Sequence, residues 1–149
     1  MIWERGGARF VDNRYSRAHT WHFDGGARVS ASASPHHVRT PFSDPAGVDP
    51  EEAYVAALSS CHMLWFLSLA ATQGFVVDTY RDEAIAVLER DEHGREAITR
   101  ALLRPRIRFS GDRAPAAGEI SALHDEAHRR CFIANSVRTL LTVGPPPDD

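Results

Sequence analysis

The sequence predicts an α+β domain. Three observations carry that prediction: an apolar run of helical length between Asp49-Pro50 and Gly74, flanking segments that alternate at period two, and glycine turns between them. At 149 residues the chain suits one domain, 1–149, large enough for a core without disulfide or metal staples. Residues 1–14 and 144–149 are expected as peripheral tails.

Tyr15 to Ala33 reads as two short strands. Arg17, His19 and Trp21 alternate with Ala18, Thr20 and His22, and the turn falls at Asp24-Gly25-Gly26. A loop from Ser34 to Val48 follows, with Pro35, Pro41, Pro45 and Gly47. Its length marks it as a candidate functional segment.

The helix is expected over Pro50 to Gln73. Asp49 is a good N-cap, Pro50 suits the first helical position, Glu52 stands where a capping-box acid belongs, and Gly74 supplies the stop. Its interior, from Ala53 to Leu69, leaves almost no polar face, so it needs cover on every side. In so short a chain this points to a dimer supplying part of that cover.

From Phe75 to Phe109 the pattern returns to strands, Ala84–Leu88 and Ala101–Phe109, around a polar hairpin at Asp91 to Gly94. Arg104, Arg106 and Arg108 lie at period two, as on the solvated face of a strand. Gly118 to Arg130 reads as a second helix, with Ile120, Leu123, His124 and Ala127 at helical spacing. Asn135 to Val143 is the last expected strand, giving the order ββ-α-ββ-α-β, and Gly144 to Asp149 is a tail.

Composition removes several function classes. A net charge of -3 leaves no electrostatic footprint for nucleic acid. All 17 basic residues are arginine, so Schiff-base chemistry and the Gly-Lys-Ser/Thr phosphate loop are absent. No Gly-x-Gly-x-x-Gly occurs either. No segment is expected to reach the roughly 20 apolar residues needed to cross a bilayer. Met1 to Phe10 has no apolar signal-peptide core, and a cytoplasmic location is the default expectation. Two cysteines in a reducing compartment are then free, catalytic or metal-binding rather than a static bridge.

Cys61 lies mid-helix in Ser59-Ser60-Cys61-His62, and Cys131 ends the second helix in His128-Arg129-Arg130-Cys131. A lone helical cysteine usually just packs. A second one at an element boundary, free to move, suits a resolving thiol. A thiolate attacks an O–O bond, and an unperturbed thiol near pKa ~8.5 is mostly protonated at neutral pH. Mid-helix, the dipole helps little, so a guanidinium must stabilise the thiolate. Attack leaves a sulfenic acid that a second thiol converts to a disulfide, protecting it from over-oxidation.

Asp49-Pro50-Glu51-Glu52, Ser59-Ser60-Cys61 and Ala127-His128-x-x-Cys131 together resemble the OsmC/Ohr family of organic hydroperoxide reductases. The family's Asn-Pro-Glu-Glu/Gln motif has its cysteine eleven residues after the proline, as Pro50 and Cys61 do here. The resemblance extends over Tyr15 to Val143. It implies an intertwined α+β homodimer with two long central helices, a peroxidatic Cys61, a resolving Cys131, and Glu51 as the carboxylate that positions an arginine. Glu51 and Cys61 stand roughly 15 Å apart along a straight helix, so within one chain they cannot touch. If both serve one site, Glu51 must reach Cys61 of the partner subunit.

The chain departs from the pattern at the arginine. Ohr-type members carry it in a Gly-Gly-Arg-Asp-Gly turn, where this chain has Phe23 in Trp21-His22-Phe23-Asp24-Gly25. OsmC-type members place it in the loop before the helix, which makes Arg39 the first candidate and Arg17 the second. Phe132 also follows Cys131 where many relatives have proline. Met63, Leu64, Trp65, Phe66 and Phe132 beside the cysteines favour an alkyl or lipid hydroperoxide. The resemblance further implies an external dithiol reductant, a lipoyl group or a small thiol, and no bound cofactor.

The chief rival is a non-catalytic thiol protein that binds a metal or an apolar ligand at the dimer interface. Cys61, His62, His128 and Cys131 are the donor set of a closed zinc site, although Cys61 and His62 diverge by about 100° on a helix. His36 and His37 read as surface, and His124 and His128 as packing or solvated. A Cys–His hydrolase lacks both a well-placed base and backbone donors for an oxyanion hole.

Overall fold

The capping residues of the long helix work as the sequence predicts. In this computed structural model, which describes residues 1–147, α1 spans Pro50–Thr72. The Glu52 N–H donates to Asp49 Oδ1 at 2.8 Å, and the Asp49 N–H donates to Glu52 Oε2 at 3.2 Å, a capping box built on aspartate. Gly74, at φ +79°, ends the helix in the left-handed conformation that only glycine adopts cheaply.

The chain divides into two compact units, Met1–Tyr54 and Val55–Asp149. The first contains a hairpin, β1 (His19–His22) paired antiparallel with β2 (Arg28–Ala31), closed at Phe23 to Ala27 with Gly26 at φ +85°. Residues 1–14, expected as a tail, are tied to it. Ile2 exchanges two backbone hydrogen bonds with Thr20, and Trp3, Phe10 and Tyr15 form one aromatic cluster.

The second unit holds two sheets. One pairs β3 (Val76–Asp82) antiparallel with β6 (Pro105–Ser110). The other has the order β4 (Ile85–Arg90), β5 (Glu96–Leu103), β7 (Leu140–Val143), the last pair being parallel. Helix α2 covers Ala117–Arg130. Its buried Leu123 and Ala127 pack with Phe66, Ala70 and Phe75 to form the core of the unit.

Three expectations are corrected here. Val76–Asp82 is a full strand that the sequence pattern does not isolate, and the expected strand Ala101–Phe109 is two strands on different sheets, broken at Arg104. Asp82 fixes the break: its Oδ1 accepts the Arg104 N–H at 2.6 Å. The expected strand Asn135–Val143 is a strand only from Leu140, because Ala134–Ser136 forms a 3₁₀ turn.

Helix α1 buries one narrow stripe, Leu58, His62, Phe66 and Ala70. On another face Leu64 stands 60% exposed within the single chain. The expectation that no segment reaches membrane-spanning length also fails. By length and composition alone, α1 is long and apolar enough to cross a bilayer.

Candidate active site

Cys61 and Cys131, 70 positions apart in sequence, are brought together as two free thiols. Cys61 sits midway along α1 and is half-buried. Cys131 is the residue that ends α2, in extended backbone at φ -66° and ψ 110°, and is fully buried. Its N–H donates to the His128 carbonyl at 3.2 Å, and its Sγ accepts the Ala134 N–H at 3.4 Å.

The two thiols are neighbours. Burial, and after it the neighbouring Cys61, push the Cys131 thiol up to about 11. At neutral pH Cys131 is therefore a thiol.

Trp65, one turn after Cys61, meets Phe132 edge-on at 5.6 Å, and the Arg130 guanidinium lies 5.6 Å from the centre of the Trp65 ring. Arg130 is also ion-paired to Glu126. The sequence signal for Arg130 is its position directly before Cys131. Of the apolar residues expected to line the site, Phe66 is fully buried in the core instead, whereas Phe132 is 69% exposed.

His62 turns away from the thiols. It is fully buried, and its Nε2 lies 2.9 Å from His124 Nδ1. His62 Nδ1 is buried without a partner. A bare nitrogen there costs less than an orphaned N–H. That assigns the shared proton to His62 Nε2 and leaves His124 to present its Nε2–H. Burial, then the nearby His124 and His128, hold His62 down at about 4, and burial also lowers His124. The pairing commits His62 Nε2 to His124 rather than to a ligand shared with the thiols. Among the described residues no group of three or more His, Cys, Asp or Glu is placed to hold a metal ion.

The other predicted residues lie in the N-terminal unit. Glu51 is half-buried in the first turn of α1 and, among the described residues, makes no side-chain hydrogen bond or ion pair. Arg39 is exposed, its guanidinium 6.0 Å from the Phe42 ring. Arg17, by contrast, is committed to its own loop through Asn13 and Tyr15. Residues 43–144 match the family model described as OsmC-like protein.

The chain belongs to the OsmC-like family.

A solved OsmC-like protein of unknown function from Vibrio cholerae is 50% identical, with a TM-score of 0.94 over 97% of this chain and 94% of that one. More distant OsmC-like folds include an organic hydroperoxide resistance protein from Elizabethkingia anophelis, at 17% identity and TM-score 0.66 over 87% and 89% of the two chains. Another is an OsmC-like protein from Mycoplasma pneumoniae, at 13% identity and TM-score 0.61 over 91% and 99%. No curated protein matches significantly. The α+β class and the family resemblance read from the sequence agree with these likenesses.

Proposed function

We propose that this OsmC-like protein is a thiol-dependent peroxidase that reduces organic hydroperoxides to alcohols. One observation carries the reading: the half-buried Cys61 thiol neighbours the fully buried Cys131, whose thiol is raised to about 11. That asymmetry separates the roles. Cys61, the more exposed of the two, attacks as its thiolate the distal oxygen of the hydroperoxide. The O–O bond breaks, the leaving alkoxide takes a proton to become the alcohol, and Cys61 becomes a sulfenic acid. Cys131 then gives up its proton and attacks the Cys61 sulfur. The hydroxyl leaves as water, and a disulfide forms. An external dithiol, lipoyl or small, returns two electrons and two protons.

Arg39 and Glu51 complete the site in this proposal, Glu51 orienting the guanidinium beside Cys61 of the partner subunit. The uncovered face of α1 around Leu64 supports a homodimer, because an exposed apolar helix face needs a partner. Trp65 and Phe132 favour an alkyl or lipid hydroperoxide over hydrogen peroxide. The thiol cycle requires a reducing compartment, which makes the cytoplasm the proposed location. The organic hydroperoxide resistance proteins among the structural neighbours agree with this chemistry.

The test is turnover of cumene hydroperoxide with dihydrolipoate as reductant. The wild type should consume peroxide catalytically, Cys61→Ser should not, and Arg39→Ala should be slower by about a hundredfold, the scale of one oriented charge-stabilising donor. Wild-type consumption equal to that of Cys61→Ser would sink the proposal.

A further inference from the structure

The N-terminal unit contains an aromatic cavity with no cysteine in its lining, and among the described residues its Arg17 has no acidic partner. We propose that this cavity binds a small aryl carboxylate, with Arg17 gripping the carboxylate and Trp3, Phe10 and Tyr15 packing the ring.

The cavity measures about 380 Å³ and is lined by Trp3, Phe10, Tyr15, Arg17, His19 and Pro50, among others. That volume lies within the range of small-molecule sites, ~300–1,000 Å³. The three rings form one cluster, with Trp3 5.9 Å from Phe10 and 5.3 Å from Tyr15, and Phe10 stacked on Tyr15 at 4.7 Å. Their faces are not used up by the cluster: Trp3 is 39% and Phe10 49% exposed. Open aromatic surface beside a fixed charge suits a flat ring with a polar end.

The hydrogen bonds of Arg17 define the polar end. A guanidinium carries about five N–H donors. Nη1 donates to the carbonyls of Asn13, at 3.0 Å, and Tyr15, and Nη2 donates to Asn13 Oδ1 at 2.6 Å. Those bonds use the end of the fork. They leave Nε–H and the second Nη2–H, the side edge that meets two carboxylate oxygens in parallel. No Asp or Glu pairs with Arg17 among the described residues.

His19 does not compete for the ligand. Its Nδ1 lies 2.8 Å from the Arg17 carbonyl, and its Nε2 accepts the Trp21 Nε1–H at 2.8 Å. Both ring nitrogens are therefore taken. A cationic ligand is disfavoured, because the Arg17 guanidinium already lies 3.9 Å from the centre of the Tyr15 ring, where such a ligand would sit. One guanidinium and three rings therefore select a monoanion with an aromatic body.

Isothermal titration of the reduced full chain with 2-naphthylacetate tests this directly. One saturable site per chain is expected, weaker by at least about tenfold in Arg17→Gln, the scale of a lost charge-assisted pair. The neutral 2-naphthylacetamide should bind wild type weaker by a similar factor. That comparison holds even if Arg17→Gln loosens the Asn13–Tyr15 loop. Decanoate should also bind more weakly, because it cannot stack. No lining residue is a thiol, so Cys61→Ser should bind as wild type does, whether or not the peroxidase reading stands. Absent saturation at millimolar ligand, equal affinity for acid and amide, or equal affinity for decanoate would each overturn the proposal.

Discussion

Acidification should destabilise this protein through His62 before any carboxylate contributes. In the folded chain His62 is buried and held down at about 4, against 6.5 for an ordinary histidine. As the pH falls, the unfolded chain therefore binds the proton first. Stability from this group is fully present above about pH 6.5, is lost at ~1.4 kcal/mol per pH unit below it, and levels off near pH 4. The whole loss is about 3 kcal/mol, a large share of the ~5–15 kcal/mol that holds a domain folded. His124, also lowered by burial, acts in the same direction.

The carboxylates held low by their partners, Glu89, Asp91, Glu119 and Glu126, lose their contribution only at lower pH, as they protonate. The interval from about pH 6.5 to pH 5 thus isolates the histidines. Urea unfolding of reduced protein at several pH values across that interval, beside His62→Leu, is the assay. Wild-type stability should fall by about 2 kcal/mol across it, and the variant should fall clearly less. Equal slopes for the two proteins would refute the assignment of His62 as the buried neutral group.

Three other perturbations have definite outcomes. Asp49→Ala should cost about 1 kcal/mol in urea unfolding and Asp49→Asn much less, because the amide oxygen still caps the Glu52 N–H. Gly47→Ala should cost about 1–3 kcal/mol, since its new Cβ would stand 2.9 Å from the Ala31 carbonyl carbon and 3.1 Å from the Ser32 nitrogen, both backbone atoms that cannot swing aside. Leu64→Glu should convert the proposed dimer to monomer in sedimentation velocity; an unchanged sedimentation coefficient would show that this face is not the contact.

The parts legible in the sequence are those set by local chemistry. Asp49, Pro50, Glu52 and Gly74 delimit α1 because caps act within a turn. Hairpins at Asp24 to Gly26 and Asp91 to Gly94 follow from turn residues for the same reason. Illegible parts depend on distant pairing. Val76–Asp82 falls within the region read as strands, but its own bounds are set by its register against β6.

The error after Cys131 has a local cause. Asn135 Nδ2 donates to the Arg129 carbonyl and Ser136 Oγ to the Phe132 carbonyl, drawing the chain into a turn instead of a strand. At the site, both cysteines are legible in the sequence, but nothing in their spacing shows that they are neighbours. Nor could it show that His62 would spend its Nε2 on His124, 62 positions away, rather than on a metal or a thiol.

The central claim is most directly tested by mixing reduced protein with one equivalent of cumene hydroperoxide and following free thiols and intact mass. The wild type should lose both thiols and two hydrogens, Cys131→Ser should stop with one added oxygen, and Cys61→Ser should remain unchanged. If both thiols survive excess peroxide for minutes, the contact between Cys61 and Cys131 is structural and the peroxidase account is wrong.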